Sequence, residues 1–130
     1  MAVGLGQTTL ANNWLNMLRS VAFTAPVGSY VKLHVGDPGA AGANNAAAGS
    51  TTRVAAVYAA ASAGSLSLTG TLPSWTNGGT TETLTNISVW DASTVGNFLY
   101  SAALSSSQSW VSGNTFTLNA LTFALNPLAA

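Results

Sequence analysis

The groups in this chain that could move a proton or hold a metal are His34, its only histidine, and the carboxylates of Asp37, Glu82 and Asp91. His34 and Asp37 lie close together in the stretch Tyr30 to Gly39 (YVKLHVGDPG), which also holds Lys32. A histidine oriented by a carboxylate, with a serine nearby, is the start of an acyl-transfer site. That chemistry needs a base, an orienting group and an oxyanion site in fixed geometry. The serines here fall in no motif that would place one of them. His34 is therefore read as a strand-face residue, and Asp37 as a turn former that bonds its own backbone. A metal site needs several ligands at set spacings, and His34, Asp37, Glu82 and Asp91 are scattered singly. Glycoside hydrolysis needs two facing carboxylates. Glu82 and Asp91 would stand roughly 30 Å apart at ~3.3 Å per residue, at opposite ends of one strand. Glu82 is expected to pair with Arg53 or Lys32, or to cap a turn. GDPGAAGA lacks the Lys and Ser/Thr of a phosphate loop. Trp75, Trp90 and Trp110 could form a sugar-stacking platform, but aromatics in β-sandwiches are more often core or interface. The expectation is a protein with no catalytic residues, no cofactor and no metal.

Composition points the same way. The 130 residues carry zero net charge and only 5% charged residues, against about 25% in ordinary soluble domains. So few cations leave no basis for nucleic-acid binding. A chain of near-zero net charge tends to associate, which suits a protein locked into an assembly. There is no cysteine, hence no disulfide or thiolate metal site. No segment reaches the ~18 apolar residues that span a bilayer, and the N-terminus lacks the pattern of a signal peptide. No membrane partner is expected.

The elements that must position these groups read as one domain over 1–130. Residues 1–7 (MAVGLGQ) form an extended arm that either pairs with a neighbour's sheet or frays. An amphipathic helix follows over 8–22, with Thr8 or Thr9 as N-cap. Leu10, Trp14, Met17, Leu18 and Val21 share one face. From Ser29 the period becomes two and a β-sandwich occupies 29–126. Tyr30 to Val35 is a strand with Val31 and Leu33 on one face and Lys32 and His34 on the other. Gly36 to Gly39 is a turn, and Ala40 to Ser50 a long loop, with an Ala-rich helix as the alternative. Further strands are expected at Thr52–Ala59 (helix being the alternative), Ser65–Leu72, Glu82–Trp90 and Phe98–Leu104, with a short one starting at Trp110–Val111. Turns are expected at Pro73–Trp75, Thr76–Thr80, Asp91–Asn97 and Ser105–Ser107. Glu82–Trp90 carries large apolar groups on both faces and should be central and buried on both sides, with another subunit as one candidate for the cover of one side. Thr115 to Leu125 changes phase at Asn119–Ala120, by a bulge or a break, and stops at Pro127. The fold class is thus mainly β: an antiparallel sandwich, or a partly closed barrel, preceded by one helix.

Three blocks in order carry a family resemblance: Leu33 to Gly39 (LHVGDPG), Glu82 to Ala92 (ETLTNISVWDA) and Gly96 to Leu104 (GNFLYSAAL). With the helix ahead of them, they resemble a widespread group of small virion proteins of tailed bacteriophages, notably those infecting actinobacteria. Where that group often has a histidine in the central strand, this chain has Asn86 or Ser88. Members are described as capsid decoration, minor tail or tail fibre proteins. The resemblance implies a non-enzymatic virion structural protein. The first expectation is capsid decoration. The protein would sit on the outer shell as a homotrimer and bridge copies of the major capsid protein by burying apolar area. The alternative is a minor tail or tail fibre protein, with receptor or glycan binding. The expected partner-contact residues are Trp14, Leu15 and Leu18 on the helix and Val3 and Leu5 on the arm.

Overall fold

A computed structural model of the protein describes residues 3–125 and 129. The stop expected at Pro127 lies outside them. One π-turn, Gln7–Ala11, runs directly into a short helix, α1 (Asn12–Met17). Eight strands follow: β1 (Tyr30–His34), β2 (Val54–Ala55), β3 (Ser65–Ser67), β4 (Ser74–Thr76), β5 (Glu82–Trp90), β6 (Phe98–Trp110), β7 (Thr115–Thr117) and β8 (Thr122–Ala124). All strand pairs are antiparallel. One sheet has the order β2-β1-β5-β6, and two ribbons, β3-β8 and β4-β7, supply the second layer. The mainly β, helix-first architecture is as expected, and the described strands do not close into a barrel.

The core lies between the layers. Val31 and Leu33 of β1 and Leu84, Ile87 and Val89 of β5 are fully buried, and Trp75, Leu118 and Leu121 meet them from the other side. Each such side chain contributes about 1.5–3 kcal/mol of transfer free energy. Leu84 joins Ile87 and Val89 on one face despite the wrong parity because the ladder slips between Leu84 and Asn86. There, four residues of β6, Leu104 to Ser107, stand against the single Thr85. The serines expected to break the chain instead form a bulge inside one continuous strand. Their hydroxyls face solvent, so nothing forces a reversal, and the bulge absorbs the extra residues.

Two other differences share a cause in tertiary pairing. Pro73–Trp75 is not a turn. Ser74–Thr76 is a strand because Trp75 drives its ring into the core beside Phe116 and donates its indole N–H to the Thr52 carbonyl at 2.9 Å. The strand expected over Thr52–Ala59 shrinks to Val54–Ala55 because the segment changes partners. Val54 and Ala55 pair with β1, after which Tyr58 bridges to Leu68 and Ala59 N–H donates to Ser67. The Asn119–Ala120 phase change is a break between β7 and β8.

The N-terminal helix is shorter than the expected 8–22. It ends at Met17, and Ser20 adopts φ of 63° in the turn beyond. Neither Thr8 nor Thr9 is the N-cap. Gly6 holds that place, and Thr9 Oγ1 donates to the Phe98 carbonyl instead. Over its described residues the arm pairs with the chain's own sheet. Gly6 N–H donates to Leu99 O at 2.6 Å, Ser101 N–H donates to Gly4 O at 2.8 Å, and Leu5 bridges Tyr100. It adds a short strand segment to the outer edge of β6.

Candidate functional site

β1 places Tyr30, Lys32 and His34 on the face of the sheet away from the core, opposite Trp90, Ser88 and Asn86 of β5. The small-residue loop after Gly39 folds back over this face. Val35 N–H donates to Asn45 O at 2.8 Å and Ala47 N–H to Leu33 O at 3.0 Å, so the loop runs antiparallel beside the end of β1. Asp37 Oδ1 accepts the Gly39 N–H at 2.8 Å, the turn expected for it. Gly42 has φ of +69°, and a Cβ there would run into the Phe98 ring. Only a loop of Gly, Ala and Asn lies this close to a sheet.

The loop buries His34 completely, at 0% exposure. Nδ1 lies 2.7 Å from the Asn44 carbonyl and Nε2 lies 2.7 Å from Ser88 Oγ, while Trp90 Nε1–H donates to the same Ser88 Oγ at 2.8 Å. A carbonyl oxygen only accepts and an indole N–H only donates. For a neutral imidazole the chain of donors is then fixed: Trp90 to Ser88, Ser88 hydroxyl to His34 Nε2, and His34 Nδ1–H to Asn44. His34 is neutral and protonated on Nδ1. Burial holds its pKa below the ordinary histidine value, with nearby Lys32 acting in the same direction and the Asn44 hydrogen bond opposing. A serine donating to a histidine looks like an activated nucleophile. Here both groups are at 0% exposure, and the Ser88 oxygen is occupied by Trp90. The arrangement clamps the loop onto the sheet.

Arg53 lies next to this clamp. Its guanidinium sits 3.8 Å over the Trp90 ring, and Nη1 donates to the carbonyls of Ala92 at 3.0 Å and Val95 at 2.5 Å. Arg53 thus does not pair with Glu82. The Glu82 carboxylate instead accepts Ala48 N–H at 3.0 Å and Gly49 N–H at 2.8 Å, the turn-capping alternative. Beside it the buried Asn77 donates to Thr80 O and Trp110 O and accepts the N–H groups of Gly79 and Thr80. Asn77 ties its own turn to the end of β6 at one end of the sandwich, a role sequence reading missed because a lone Asn in a Gly-rich turn looks like any turn residue.

The three tryptophans do not form a platform. Trp75 and Trp110 are core residues at 3% and 2% exposure, and Trp90 carries Arg53 on its ring. Among the described residues no three of His, Asp and Glu come together as a metal site.

The expected contact residues divide. Trp14 packs edge-on against Phe123 at 5.7 Å and lines an apolar cleft of about 470 Å³ with Leu10, Phe23, Tyr58 and Tyr100. Burial, then the Tyr58 hydroxyl at 2.8 Å, pushes the Tyr100 pKa strongly up. On the other side of α1, Leu15 is 64% and Leu18 87% exposed, with Val21 exposed beyond them. Leu5 is on the margin of exposure and Val3 is half-buried on the arm. The structure thus brings Leu15 and Leu18 together as an exposed apolar ridge and holds Trp14 back in the cleft.

A fold of this kind, with its one histidine used as a clamp and an apolar ridge left outside, has the look of an assembly part. The family model described as podophage GP4 fiber I protein gp80 matches residues 7–126, from the first helical turn through the last strand. The chain belongs to this family. It is a bacteriophage structural protein, as the resemblance in its sequence implied. No curated protein shows significant similarity to it. The fibre-family match spans the arm-proximal turn, the loop over His34 and the whole sheet, so every feature described above except the arm itself falls within it.

Proposed function

We propose that this protein is a non-enzymatic building unit of a podophage tail fibre, within the virion. The observation that carries the reading is the match of residues 7–126 to a fibre family. The burial of His34 and Ser88 supports its non-catalytic half, since neither side chain meets solvent. The family favours the tail over the capsid shell, so the major capsid protein gives way to tail proteins and further copies of this chain as expected partners. Leu15 and Leu18 form the contact ridge. Apolar groups this exposed contribute by leaving water when a partner covers them.

Labelling the protein on intact particles tests the placement. The expected result is label confined to the tail, with few copies per particle. Label spread over the capsid faces, with hundreds of copies, would restore the decoration reading. The ridge is tested by Leu18→Ser. At 87% exposure the change should leave the melting temperature within about 2 °C and reduce incorporation into particles. Normal incorporation would remove Leu18 from the interface.

A further inference from the structure

Two of the three basic residues of this charge-poor chain stand side by side. β1 and β2 pair with Tyr30 opposite Ala55 and Val31 opposite Val54. One step further in the same antiparallel register sets Arg53 opposite Lys32. Val31 and Leu33 enter the core, so Lys32 projects from the outer face. Like charges directly opposite in a sheet destabilise it. Lys32 is also half-buried, and burial, then the Arg53 charge, hold its pKa below the usual lysine value.

Arg53 has compensation. It stacks on Trp90, donates to two carbonyls and feels the Asp91 charge. Lys32 has none of this: its backbone belongs to the β1–β5 ladder, but its ammonium has no hydrogen bond or ion pair with any described residue. His34, its neighbour on that face, is neutral and turned to Asn44 and Ser88. The three side-chain carboxylates all accept hydrogen bonds elsewhere. Asp37 accepts from Gly39, Glu82 from Ala48 and Gly49, and Asp91 from Asn97. A threonine or valine would suit this strand position at lower cost.

We infer that Lys32 and Arg53 form a binding site for an oxyanion, the carboxylate or phosphate group of an acidic saccharide. Lys32 supplies a point charge, and the guanidinium, held in place by Trp90, supplies directed N–H donors. The bound anion relieves the repulsion between the two cations. The saccharide half of the assignment rests on the tail-fibre reading; the oxyanion half rests on the sheet alone.

The test is thermal unfolding of the full chain in sodium chloride, acetate, glucuronate and phosphate at equal ionic strength. Glucuronate or phosphate should raise the melting temperature by about 4–7 °C at ten times its dissociation constant. Lys32→Met should abolish that rise and, in sodium chloride, melt above the wild type because one of two opposed charges is gone. Lys32→Arg should keep the anion response. The stronger of the two anions names the group as carboxylate or phosphate. Equal responses in wild type and Lys32→Met, no response beyond chloride, or a Lys32→Met protein less stable in chloride would each overturn the site. Equal effects of acetate and glucuronate would overturn its saccharide half. Labelling on the particle does not depend on this site, so its failure leaves the tail placement standing.

Discussion

Replacing His34 by alanine removes the centre of the Trp90–Ser88–His34–Asn44 chain. As an exposed strand-face residue His34 would be expendable; as a buried clamp it is not. The Ser88 hydroxyl proton loses its acceptor in a site with no exposure, which costs about 1–3 kcal/mol. The Asn44 carbonyl loses its donor at a half-buried position, costing about 0.5–1 kcal/mol. The space left by the imidazole adds about 1–2 kcal/mol. The total is about 2.5–6 kcal/mol, or a fall in melting temperature of about 9–22 °C for a chain of this size. Urea and thermal unfolding followed by circular dichroism measure it directly. The same geometry fixes the tautomer, so two-bond ¹H–¹⁵N spectra should show the Nδ1–H form. A loss below about 1 kcal/mol, or an Nε2–H signal, would refute the donor chain. The pH dependence has a definite sign. The folded pKa of His34 lies below its unfolded value, so the unfolded state binds the proton first. Stability from this group is full above about pH 6.5 and is lost as pH falls from there through the folded pKa.

Gly42→Ala should cost more than about 2 kcal/mol, since its Cβ would meet the Phe98 ring and its φ of +69° suits glycine. A variant as stable as wild type would show that the loop does not lie on the sheet. Asn77→Ala removes bonds to Thr80, Trp110 and Gly79 in a buried site; about 2–4 kcal/mol should be lost, and hydrogen exchange should quicken in the 77–80 and 110–114 loops together. Tyr100 has its folded pKa raised by burial. Its contribution is intact below the unfolded value of about pH 10 and is lost as pH rises through the folded pKa; absorbance at 295 nm should show this tyrosine ionising only with unfolding.

The local features were legible because they rest on local physics. Tyr30 to His34 alternates with period two and is a strand with Val31 and Leu33 inward. Asp37 closes its own turn. Glu82–Trp90 is central as expected, and it is buried on both faces at Ser88 and Val89, where the chain's own loop covers the outer face through His34. That loop puts Ala47 fully inside. Small residues are what let a backbone lie flat on a sheet, a use that composition does not reveal. The serines of β6 and the turn residues Ser74 and Trp75 were misread for the opposite reason. Their local preference yields to a strand partner distant in sequence.

Sequence alone determined that this chain is mainly β, poor in charge, without cysteine, and led by a helix. Periodicity, turn chemistry and composition are properties of neighbours along the chain. Only the tertiary structure decided what the rare polar groups do. Hydrogen-bond partners distant in sequence made His34 a clamp, Glu82 a loop cap and Asn77 a hub, and strand pairing set Lys32 beside Arg53. Register across strands creates those meetings, and register is not written in any one strand.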